Sequence, residues 1–169
     1  QAEIQTRINK GFTWFKADLD GILSPSDYTT SPDPNPFTES GGKAKRILES
    51  GFTKYCDYVA SYRQMIGDAP LGADHFFAWS PSGGGNQLDV ASAIQLSNYL
   101  GEPGYLDKSL GGWMEDIIPW HYYDEMAQIN AGTDMHIMTG EDMFGFDELK
   151  NLVNAGATNY FHPDPTTFG

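Results

Sequence analysis

Residues 112–141 read GWMEDIIPWHYYDEMAQINAGTDMHIMTGE. The apolar run 112–118 (GWMEDII) predicts a strand, 123–130 a short helix, and 135–140 (MHIMTG) a second strand. Strand, helix, strand at this spacing is a βαβ unit, and right-handed crossovers of that kind build a parallel sheet. An acid stands at the end of each strand, Glu115 in the first and Glu141 directly after the second.

The same alternation continues in both directions. Residues 11–19 (GFTWFKADL), 71–77 (LGADHFF) and 159–162 (NYFH) predict further strands. Helices are expected between them. Over 43–66, Phe52, Tyr55, Val59, Tyr62 and Ile66 recur in steps of three and four, lining one helix face. Residues 87–100 are expected to bury Val90, Ile94 and Leu100, and residues 146–155 to turn Phe146, Leu149 and Val153 inward. The fold class is therefore α/β, and two closures stay open: a doubly wound sheet or part of a (β/α)8 barrel. Residues 20–42, rich in Pro, Ser, Asp and Gly, form either a binding loop or a plain surface insertion. Gly83, Gly84 and Gly85 lack the Lys-Ser/Thr ending of a phosphate loop and read as a turn.

The 169 residues suit one domain, and 40% hydrophobic with 20% charged residues is an ordinary globular composition. Asp plus Glu number 23 against 10 Lys plus Arg, a formal charge of −13. That balance argues against nucleic acid or an anionic membrane as partner, since both need clustered cations. It leaves room for a divalent cation. No apolar run reaches the roughly 20 residues of a membrane span, and no signal-peptide pattern opens the sequence. Cys56 alone cannot build a disulfide framework, so a cytoplasmic home is expected. The first residue is Gln1 rather than Met, from which a trimmed or longer start is expected.

Four acids fall at the C-terminal ends of predicted strands: Asp74, Glu115, Glu141 and Asp164. Parallel α/β architectures gather those ends on one face, where ligands bind. Carboxylates converging there repel one another unless a cation sits between them, and hard oxygen donors suit Mg²⁺. The bland reading of any one such acid is a cap on the next helix.

Taken in order, these motifs resemble the enolase superfamily, specifically its mandelate racemase-like branch of acid-sugar dehydratases, racemases and cycloisomerases. The resemblance runs over 11–169. It rests on Asp74, the Trp-x-Glu-acid run at 113–116, Gly140-Glu141, Asp164 after Pro163, and Lys16 in Phe15-Lys16-Ala17-Asp18. It implies a partial TIM-type barrel over 1–169, about five consecutive βα units corresponding to barrel strands two to six, with a loop insertion at 20–42. The capping domain and the last barrel strands of the family are missing from these residues, so the chain alone is not expected to turn over substrate.

The resemblance further implies Mg²⁺ on Asp74, Glu115 and Glu141, and removal of the proton next to a substrate carboxylate. Lys16 and Asp18, two apart on a strand, are expected to face the site, Lys16 offering charge to that carboxylate. Asp18 stands where many relatives carry a second lysine, so base duty is expected to pass to a His–Asp dyad whose Asp is Asp164. His75 is read either as the acid for a departing hydroxide or as a packing residue. His121, His162 and Trp120 are read as substrate-binding or as loop packing; His136 is read as structural. The expected reaction is dehydration of a sugar acid to a 2-keto-3-deoxy acid. A cycloisomerase or epimerase sharing the first step is the alternative, and a non-catalytic sugar-acid-binding relic is the alternative of another class. The expected partner is the small-molecule substrate, with homo-oligomers in the full-length protein.

Overall fold

Each apolar run read as a strand pairs with the next such run along the chain. The computed structural model describes residues 2–32, 44–74 and 87–168. In chain order its helices and strands are α1 (Ala2–Asn9), β1 (Phe15–Asp18), β2 (Tyr28–Thr30), β3 (Lys45–Ile47), α2 (Glu49–Ile66), β4 (Leu71–Asp74), α3 (Val90–Leu100), β5 (Trp113–Glu115), α4 (Tyr123–Gly132), β6 (His136–Thr139), α5 (Gly145–Ala155), β7 (Tyr160–Phe161) and α6 (Pro165–Phe168). Five of the strands form one sheet in the order β1-β4-β5-β6-β7, with every pair parallel. A doubly wound sheet reverses its strand order at a switch point, whereas here each new strand is added on the same side. That is the winding of a (β/α)8 barrel, and the sheet is an arc of one.

Alternate residues of these strands enter the core with the helices. Ala17, Leu71, Ala73, Met114 and Ile137 are fully buried and share one cluster with Tyr55, Val59, Leu96, Leu100, Met126, Ile129 and Leu152. The face of α2 is the expected one: Phe52, Tyr55 and Val59 are buried, with Tyr62 and Ile66 packed at its margin. Cys56 is buried there as well. In α3, Leu100 is sealed together with Ala93 and Leu96, while Val90 and Ile94 are half-buried. Among the described residues no helix is long and apolar enough to cross a membrane.

Two expectations need correction. The helix expected from residue 43 begins at Glu49, because Lys45–Ile47 is a strand, antiparallel to Tyr28–Thr30. Three residues are too few to show a period of two. In α5, Leu152 is fully buried and Leu149 partly so, but Phe146 and Val153 are 69% and 52% exposed. Both the 146–149–153 row and the 149–152 row obey helical spacing, so spacing alone cannot choose between them.

The β2–β3 hairpin falls partly within the 20–42 segment, of which residues 33–42 lie outside the described residues. Two buried carboxylates anchor it. Asp27 accepts from Ser24 Oγ at 2.6 Å and from Lys54 Nζ of α2 at 2.5 Å. Asp89 caps α3 by accepting the Ser92 N–H at 2.8 Å, and also accepts Ser31 Oγ at 2.6 Å and Arg46 Nε at 2.8 Å.

Candidate functional site

Strand register decides which side chains meet on the face away from the helices. Lys16 is level with Gly72, Gly72 with Trp113, and Trp113 with His136. Because side chains alternate, Asp74 and Glu115, two residues on from Gly72 and Trp113, face the same way. Gly72 has a steric reason. A Cβ there would lie 2.1 Å from the Trp113 ring, so the indole lies across β4 in the space a side chain would fill. From that position Trp113 Nε1 donates to Glu115 Oε2 at 3.1 Å.

The other oxygen of Glu115 is the meeting point. Oε1 accepts from Lys16 Nζ at 3.1 Å and lies 2.8 Å from His162 Nδ1, while Lys16 Nζ is 2.7 Å from Asp74 Oδ2. Burial works against ionising Glu115, but the Trp113 indole, Lys16 and His162 outweigh it and hold its pKa below the usual glutamate range. Burial likewise opposes the Lys16 ammonium. Its hydrogen bonds to Asp74 and Glu115, and their charges, prevail and raise its pKa above the ordinary lysine value.

Asp116 follows β5 with φ of 47°, in the left-handed region that non-glycine residues seldom adopt. Its Oδ1 accepts from Thr139 Oγ1 at 2.5 Å. Burial, reinforced by the charges of Asp74, Glu115 and Glu141, pushes its pKa up to about 7 despite that bond.

These side chains offer two overlapping sets of cation donors, in each of which the donor atoms lie within 4.8 Å of one another: Asp74, Glu115 and Asp116, and Glu115, Glu141 and His162. Glu115 belongs to both. The expected trio of Asp74, Glu115 and Glu141 is thus divided between the two sets, with Glu115 common to both. The donor chemistry suits a hard divalent cation. Lys16 already places a positive charge within hydrogen-bond reach of two of the carboxylates, where such an ion's charge would act.

The remaining predicted site residues fall in different places. Asp18 is exposed, level with Asp74, and its Oδ1 accepts the Asp20 N–H at 2.9 Å. Asp164 opens α6: its Oδ1 accepts the Thr166 N–H and Oγ1–H, each at 2.8 Å, and those bonds lower its pKa. Trp120 and His121 belong to an aromatic group on the loop after β5. The His121 ring is 5.3 Å from that of Trp120 and 4.3 Å from that of Tyr122. His136 packs edge-on against Tyr160 at 5.2 Å. His75 lies outside the described residues.

Two members of the cluster were not read as such from sequence. Strand alternation directs Asp116 away from Glu115, and nothing in the sequence announces the positive φ that ends β5. His162 reads as a pocket residue; its neighbour on the next strand, Gly140-Glu141, was the available signal.

No curated protein matches the chain. Solved structures do. A racemase from Streptomyces coelicolor A3(2), solved with bound magnesium, is 20% identical with a TM-score of 0.67, over 99% of this chain and 35% of its own. L-talarate/galactarate dehydratase from Salmonella typhimurium LT2 is 19% identical with a TM-score of 0.61, over 99% and 32%. L-talarate dehydratase from Polaromonas sp. JS666, complexed with Mg and L-glucarate, is 20% identical with a TM-score of 0.65, over 99% and 35%. The chain therefore spans about a third of the length of these structures, and they share its fold. The sequence pattern of the enolase C-terminal domain-like family matches residues 1–169, and the chain belongs to that family.

Proposed function

We propose that this chain forms the cation-holding arc of an enzyme that dehydrates a sugar acid by removing the proton next to its carboxylate. The reading is supported by two donor sets that share Glu115 at the C-terminal end of a parallel arc, Asp74 belonging to one and Glu141 to the other, with Lys16 between Asp74 and Glu115. Asp74, Glu115 and Glu141 would hold Mg²⁺. When bound, the ion supplies charge stabilisation to the substrate carboxylate oxygens as negative charge develops on them.

The side chains of this arc then have distinct tasks. Lys16 Nζ, set between Asp74 and Glu115, pairs with the substrate carboxylate. Trp113 orients Glu115 through Oε2 and leaves Oε1 for the site. Trp120 and His121, on the loop after β5, line the substrate. Asp164 is assigned as partner of the base, which a histidine on a following strand would supply in place of Asp18, whose Oδ1 accepts the Asp20 N–H. In the reaction the α-proton passes to the base and the bond to the β-hydroxyl breaks with its electron pair on oxygen. That oxygen takes a proton and leaves as water, and the enol tautomerises to the 2-keto-3-deoxy acid.

The test is calorimetric titration of the full-length protein with Mg²⁺, followed by incubation with a panel of aldonic and aldaric acids in ²H₂O. Formation of a 2-keto acid that depends on Mg²⁺ and on Glu115 supports dehydration. Exchange of the α-proton without loss of water points to an epimerase. Absence of cation binding overturns the enzymatic reading.

A further inference from the structure

His162 stands just past β7 and is drawn onto the acid cluster by its own backbone. Its N–H donates to Thr139 O at 3.1 Å, which sets it beside Gly140 and Glu141. Gly140 permits that approach: its φ is +132°, and a Cβ there would lie 3.0 Å from Met143 Cε and 3.4 Å from His162 N. The imidazole reaches inward to put Nδ1 2.8 Å from Glu115 Oε1. One ring nitrogen, a Glu115 oxygen and a Glu141 oxygen lie within 4.8 Å of one another.

Donors on opposite sides of one ion, at bonds of about 2.0–2.2 Å, stand about 4.4 Å apart. The three atoms therefore span what one ion bridges with small side-chain rotations, and the His162 side chain, 51% exposed, has room for them. Imidazole nitrogen is a poor match for Mg²⁺, which prefers oxygens and keeps its waters, and a good one for first-row transition ions.

We propose that His162 is a nitrogen donor to the cation, making a mixed site with Glu115 and Glu141 that favours first-row transition ions over Mg²⁺ more than carboxylates alone would. The proposal rests on the cation-site reading above. It makes His162 a determinant of which metal the protein takes, and assigns it to the ion rather than to the substrate.

The full-length protein and its His162→Gln and Glu141→Gln variants are titrated separately with Co²⁺ and Mg²⁺ by calorimetry. The Mn²⁺-loaded forms are examined by pulsed EPR for nitrogen modulation. The wild type is expected to show coordinated nitrogen, and His162→Gln to lose it. The same variant should narrow the Co²⁺-over-Mg²⁺ affinity ratio by roughly tenfold or more, with thermal unfolding unchanged. An unchanged ratio in His162→Gln, or no nitrogen coupling in the wild type, overturns the assignment. If Glu141→Gln loses both metals while His162→Gln changes neither, His162 falls and the carboxylate site stands. If the wild type binds no divalent cation, both readings fall.

Discussion

Asp89, at the N-terminus of α3, and Asp116, after β5, are both buried carboxylates in very different company. Burial opposes the charge on Asp89, but Ser31, the Ser92 N–H and the Arg46 guanidinium overcome it and hold its pKa below the usual carboxylate range. Asp116 has the Thr139 hydroxyl, and around it the charges of Asp74, Glu115 and Glu141 add to burial and raise its pKa to about 7. The first arrangement is a latch: cation and donors meet one acid and fix the β2–β3 hairpin to α3. In the second, Asp116 is held against other acids by the positive φ that follows β5. Burial of a carboxylate therefore says little about function. The signs of the charges around it distinguish an anchor from a place that favours a cation.

The most forceful way to break this comparison is Glu115→Gln. Glu115 belongs to both donor sets, and losing its charge is expected to weaken Mg²⁺ binding about 100-fold or more, about 2.7 kcal/mol. Asp89→Asn should leave Mg²⁺ affinity within about twofold, since its partners lie in the latch. Calorimetry on both variants decides it, and equal losses would erase the distinction between the two regions. Next in size is Gly72→Ala. The new Cβ would meet the Trp113 ring at 2.1 Å, so the indole must leave its seat against β4. The expected cost is about 1–3 kcal/mol in denaturant unfolding, with a change in the tryptophan near-UV signal and weaker Mg²⁺ binding as Glu115 loses its indole donor.

The latch and the cluster were unequally legible in the sequence. Asp74 and Glu115 close β4 and β5, although the apolar runs that announce these strands, 71–77 and 112–118, continue past both acids. The parallel pairing of the strands also follows from βαβ spacing, although the choice of barrel over doubly wound sheet needed the observed strand order. The hairpin is not legible in the sequence because its strands are three residues each and lie apart along the chain. Phe146 and Val153 face outward against expectation because a helix with apolar residues on two adjacent rows does not declare which row meets the sheet. Asp116 and His162 join the cluster through a positive φ and an edge strand's end, features that depend on tertiary geometry rather than residue type.

The smallest effects belong to the latch and sharpen the comparison from its other side. Asp89→Ala removes an N-cap and is expected to cost about 1–2 kcal/mol, whereas Asp89→Asn still caps α3 and should cost about 0.5 kcal/mol at neutral pH. Their pH dependence reports what the charge of Asp89 contributes. The folded-state pKa of Asp89 is depressed, so its contribution is fully present above its unfolded pKa, about 3.9. That contribution is lost as pH falls through the folded value. Stability of the wild type should therefore drop across that acid range, and Asp89→Asn, with no carboxylate to protonate, should drop less steeply. Chemical unfolding midpoints measured from neutral pH downward test the difference. Parallel curves for the two proteins would mean that the charge of Asp89, whether met by Ser31, the Ser92 N–H or Arg46, adds nothing to the latch.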